Sequence, residues 1–180
     1  MAKKSTKPRA PKESMYFGDN KDLKYYLTEK RKNLMRILKE KRDELSDTQK
    51  SKLEKYIDLL EDILQLKYFD CRRHYTMPEM IQDIKLERAD IKANEEKLEK
   101  ETDEAKKIAD AAFRKEKCYV ANPFEDIYDS DGQKELRSLI AEYEACKAEL
   151  DLDKMHSKTL WWLLGIINRP TGFFAKVMEE

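Results

Sequence analysis

Seven cations on one stretch of helix carry the clearest chemistry in this chain. Placed at about 100° per residue from Leu23, the apolar side chains of residues 19–45 centre near about 30°. On the same wheel Lys24, Arg31 and Arg42 fall at about 80–100°, and Lys21, Lys32, Arg36 and Lys39 at about 160–220°. The acids Asp22, Glu29 and Glu40 keep to a separate row at about 240–260°. A face that gathers positive charge suits a phosphate backbone, where each neutralised phosphate releases condensed counterions. Tyr25 lies inside the cationic sector at about 200°, where its ring is available to stack on a base or a sugar.

A basic arm precedes the helix, with Lys3, Lys4, Lys7, Arg9 and Lys12 and almost nothing to bury. Residues 1–42 hold fourteen Lys and Arg against five Asp and Glu, while the other 138 residues hold twenty-three against thirty-two. The formal charge of zero therefore hides a basic front and an acidic remainder. An acidic protein, or acidic surface of another copy, is the competing partner for this face. No helix-turn-helix, zinc-finger or RNA-binding signature is present, so contact with nucleic acid is expected to be sequence-independent.

A second group sits at the other end. Leu160, Trp161, Trp162, Leu164 and Ile167 are apolar all round rather than along one stripe, and Phe173 and Phe174 follow the turn-forming NRPTG. Such surface must be covered. It folds back onto the helices, docks to a protein partner or to a copy of the same chain, or dips into a membrane interface with Lys158, Arg169 and Lys176 flanking it.

Other chemistry is poorly supported. Four glycines, at 18, 132, 165 and 172, build no phosphate loop. Asp129, Asp131 and Gly132 imitate the middle of a calcium loop, but Ile127 and Ser138 occupy its first and twelfth positions. Cys71 and His74 would be half of a metal site with no second pair, and no serine lies in a nucleophile elbow. The expectation is a non-enzymatic protein with no metal, cofactor or small-molecule substrate.

These groups require helices to position them. Charged residues make up 41% of the chain, and nine Gly and Pro in 180 residues leave long uninterrupted segments, which together suit solvated helices. A disordered arm is expected over 1–18, then an antiparallel helical hairpin over 19–75. Its turn is marked by the Ser46–Gln49 capping box, and its second apolar face runs from Leu53 through Leu60, Tyr68 and Cys71 to Tyr75. Thr76 and Glu79 open a long charged helix over 76–117. Met77, Ile84, Ile91, Leu98, Ala105 and Ala112 recur in it every seven residues, beside a mostly polar row of Ile81, Arg88, Glu95, Thr102 and Ala109. That seam is thin, and residues 92–104 are expected to project or to break near Thr102. A connector over 118–132, a fourth helix over 133–156 and an apolar aromatic tail over 157–180 complete the chain, with Ser130 and Gln133 as a third capping box.

The expected fold is all-α, an elongated helical hairpin or bundle with coiled-coil-like long helices. Three irregularly spaced cysteines and the lack of a leader-like apolar stretch point to a reducing intracellular compartment, the cytoplasm by default. The expected function is assembly or adaptation, with the basic head on an anionic partner and the tail on a protein or a copy of itself. In composition the chain resembles assembly components of virus particles and other large nucleoprotein complexes. The rival reading is a peripheral membrane protein whose arm and tail bind anionic lipid.

Overall fold

The computed structural model describes residues 17–70, 72–119, 131–170 and 172–173. The arm through Lys12, Cys71, Ser130, most of the 118–132 connector and Phe174 lie outside the described residues. The fold is all-α, with helices α1 (Asn20–Glu40), α2 (Asp47–Leu64), α3 (Met77–Tyr119) and α4 (Asp131–Asn168). The chain divides into two compact units, one of residues up to Gln82 together with Trp162 onward, the other of Asp83–Trp161.

In the first unit α1 and α2 form a hairpin. Asp19 caps α1 by accepting from the Lys21 and Asp22 N–H groups, and the capping box of α2 is complete, with Ser46 N donating to Gln49 Oε1 and Gln49 N to Ser46 Oγ. Leu23, Leu27, Leu53, Leu60 and Ile63 are at most 1% exposed, as the three- and four-residue spacing requires.

The second helix stops at Leu64, well short of the expected Tyr75. A 3-10 turn, Lys67–Phe69, follows, Arg73 N donates to Asp70 O in a further turn, and the chain then reaches Thr76, which bridges to Asp19. Tyr68 and Tyr75 are still buried, so the apolar pattern is real while the backbone carrying it is not helical. The partner that replaces the helical hydrogen bonds is Asn20, itself 3% exposed. Its amide donates to the carbonyls of Tyr68 (2.8 Å) and Arg73 (2.9 Å), and its oxygen accepts from Tyr75 N (3.1 Å). Asn20 N also donates to Tyr75 O at 2.9 Å. Every polar atom of a buried amide is thus satisfied by one loop, which is pinned to the start of α1.

The C-terminal segment belongs to this same unit. Leu163, Ile166 and Ile167 are at most 2% exposed. Phe173 meets Tyr56 edge-on at 5.8 Å and Trp162 at 5.3 Å between ring centroids, and Tyr26 Oη donates to Pro170 O at 3.2 Å. Aromatic edges of this kind add to the burial of the rings themselves.

The second unit is an antiparallel pair formed by most of α3 and α4. His156 Nε2 lies 2.9 Å from Glu87 Oε1, Asn94 Nδ2 donates to Asp153 Oδ2 at 2.6 Å, and Lys154 Nζ meets Glu99 Oε1 at 2.8 Å. Helix α3 runs unbroken through residues 92–104, because both of its heptad rows face inward, the polar one included. Ile84, Leu98 and Ala109 are buried and Ile91, Ala105 and Ala112 half-buried, with Arg88 and Glu95 half-buried between them. Seven-residue spacing keeps these side chains on the face turned to α4, although the small Ala105 and Ala112 leave cavities of about 230 and 290 Å³ beside Leu139. On α4 the matching row is Leu136, Leu139, Tyr143, Cys146 and Leu150. Helix α4 also continues past Ser157, where the composition changes, since neither Gly nor Pro interrupts it before Gly165.

Thr102 is 9% exposed in the seam, and its hydroxyl finds no hydrogen-bond partner among the described residues. Thr102→Val keeps the shape and removes the stranded group, so it should stabilise the protein by about 1 kcal/mol. A thermal melt that shifts downward instead would show that the hydroxyl is satisfied.

Candidate functional site

Helix α1 presents its cations in two different ways. Lys24 and Arg31, from the row at about 80–100°, turn toward the rest of the unit. Lys24 Nζ donates to Phe69 O at 2.8 Å, and Arg31 Nη2 forms a 2.8 Å ion pair with Glu61 Oε2 while its buried Nε has no partner among the described residues. Neither charge is available to a ligand without breaking an internal contact. Arg42, from the same row, is exposed beyond the end of α1.

The other row stands outward. Lys21, Lys32, Arg36 and Lys39 are all exposed, and Tyr25 among them is 72% exposed. From Lys21 to Lys39 the row covers about 27 Å at about 1.5 Å per residue. Lys32 pairs with Glu29 on the same helix, at 2.9 Å, and this hydrogen bond raises its pKa above the usual 10.5, so the ammonium stays charged. Exposed pairs of this kind are weak and screened by salt, so a phosphate can displace Glu29.

Met35, 47% exposed, lies beside this row on the edge facing α2. With Leu38, Lys39, Arg42, Lys50 and Ile57 it lines a groove of about 450 Å³ between the two helices. Sequence reading passed over Met35 because a single apolar residue off the main stripe is ordinary.

At the start of α1, His74 Nε2 lies 3.2 Å from Asp19 Oδ2, next to the Asn20 contacts. Asp19 titrates below its usual 3.8, chiefly because it accepts the Asp22 N–H, with Lys21 N–H and His74 adding to the effect. Glu79 titrates below its usual 4.5 because it accepts from the Thr76 hydroxyl (2.6 Å) and N–H (2.9 Å). Both folded values are depressed, so their stabilisation is present above the ordinary carboxylate range and fades as pH falls through the lowered values. The melting temperature should therefore drop below pH ~4, and Asp19→Asn with Glu79→Gln should flatten that acid limb. An unchanged acid limb in the double variant would contradict the assignment.

The proposed docking residues of the tail separate by burial. Leu160 and Ile167 are 0% and 2% exposed and have no surface to offer. Trp162, Leu164 and Phe173 are half-buried, and Trp161 is 52% exposed. Covering the tail is therefore in large part the business of its own unit. Among the described residues no group of three His, Cys, Asp or Glu could hold a metal ion, and no helix is long and apolar enough to cross a membrane. No family model matches the chain, and neither a curated protein nor a solved structure matches it.

Proposed function

We propose that this chain is a non-enzymatic assembly protein whose helix α1 holds the backbone of a nucleic acid without regard to sequence. The observation that carries this reading is the outward row of Lys21, Lys32, Arg36 and Lys39 around an exposed Tyr25. Cations spaced along a straight rod meet successive phosphates, and an aromatic ring between them supplies a stacking surface that every base accepts. The basic arm would add a further set of contacts, and the setting would be a virion or another large nucleoprotein assembly.

Lys21→Gln, Arg36→Gln and Lys39→Gln together should weaken binding of a labelled oligonucleotide by about tenfold or more at moderate salt. A control removing equal charge from exposed positions of the second unit (Lys106, Lys107 and Lys115 to Gln) should leave binding within about twofold. Equal losses in the two variants would mean that only net charge matters. The lipid reading predicts co-flotation with anionic liposomes through the tail, yet Leu163, Ile166 and Ile167 are buried in the folded unit.

A further inference from the structure

Helix α4 has a second apolar face. Ala141, Ala145, Ala148, Leu152 and Met155 follow one another at steps of four and three residues, and all are exposed. Leu152 and Met155 are 60% and 59% exposed. On the helical wheel this ridge lies about 190° from the seam of Leu139, Tyr143, Cys146 and Leu150, so α3 cannot reach it. Its edges are acidic, with Glu142 and Glu149 along one side and Glu144 and Asp151 along the other, all exposed. A helix with apolar residues on two opposite faces has room for two neighbours, and the second unit supplies one.

The charges choose between occupants. If two α4 helices met antiparallel near Ala148, Glu149 would face the Glu149 of the other copy, and Glu144 its Asp151. That pairing is repulsive. A basic helix with apolar residues on its outer face is favoured, and this chain carries one. On α1, Tyr25 and Met35 are exposed among Lys21, Lys32, Arg36 and Lys39. Tyr25 and Met35 are separated by about 15 Å of helix, the same rise that separates Ala145 from Met155. A large ring over the small Ala145 and a flexible methionine beside Met155 or Leu152 would interlock, with cations falling against the acidic edges.

We propose that the ridge of α4 binds helix α1 of a second copy of this chain. The two surfaces are different, so the contact is heterologous, and copies join into open chains or a closed ring according to the rotation between them. The contact does not rest on nucleic-acid binding, although both use the outer row of α1 and would compete for it.

The test is sedimentation velocity on nuclease-treated full-length protein over a wide concentration range. Wild type should associate at low salt and return toward monomer at high salt. Lys32→Glu with Arg36→Glu, and separately Leu152→Glu with Met155→Glu, should each stay monomeric while melting like wild type. Mixed, they should form a one-to-one pair and nothing larger, because one keeps its ridge and the other its basic face. If the glutamate pair at the ridge impairs folding, Leu152→Gln with Met155→Gln should still weaken association by about tenfold. A wild type that is monomeric throughout would overturn the proposal. So would association in either variant alone, a mixture that remains monomeric, or assembly that appears only when nucleic acid is added.

Discussion

Ile166→Asp is expected to unfold the unit containing α1 and α2. Ile166 is 0% exposed near the end of α4, in a segment tied to α1 through Tyr26 and Pro170 and to α2 through Phe173 and Tyr56. Removing a buried isoleucine side chain costs about 2–5 kcal/mol on its own. Burying an unpaired carboxylate in its place takes the loss beyond about 5 kcal/mol, comparable to the whole stability of a small unit. Ile166→Ala should lose only the first part and remain folded in the cold. Near-ultraviolet circular dichroism and thermal melts read both variants. A folded Ile166→Asp protein with an unchanged melt would mean that this stretch is surface held in reserve for a partner.

Asn20→Ala is the second large effect. The side chain donates to two carbonyls and accepts from one N–H, all on the segment between Tyr68 and Tyr75. Each bond contributes about 1 kcal/mol net, and the groups left behind are buried or part-buried without their partner, so a loss of about 3–4 kcal/mol is expected. Asn20→Asp is the sharper comparison. It has nearly the same volume but cannot donate when ionised, and it would aim a carboxylate at the carbonyls of Tyr68 and Arg73. It should therefore be at least as damaging as alanine in urea unfolding, with the Tyr75 amide losing its protection from hydrogen exchange. An aspartate variant as stable as wild type would show that volume, rather than donation, holds the loop.

These two residues also mark how far the fold was legible in the sequence. Local signals read well. Ser46 and Gln49 form their box, the leucines of α1 and α2 are buried at the expected spacing, and the heptads of α3 lie in the seam. Signals that depend on distant partners did not. Leu64, Tyr68 and Tyr75 are spaced for a helix, and nothing nearby says that an asparagine 48 to 55 positions earlier will capture the backbone instead. The polar row of α3 looked too weak to pack because the residues of α4 that cover it lie beyond the connector, where a pattern drawn for one helix does not reach. The outer row of α1 was visible from its angles. That Lys24 and Arg31 turn inward depends on Phe69 and Glu61, which a wheel drawn for one helix does not contain. The apolar residues of the tail were plain, but whether a partner or the chain itself covers them is a tertiary question.

The proposed role of α1 is to offer its outward row of Lys21, Lys32, Arg36 and Lys39 to a phosphate backbone. Its most direct test is the salt dependence of binding to one oligonucleotide, measured for wild type and for the Lys21, Arg36 and Lys39 to Gln variant. The plot of log affinity against log salt should be steep for wild type and shallower by about two to three units in the variant. A flat wild-type plot, or a variant whose slope does not change, would contradict the account.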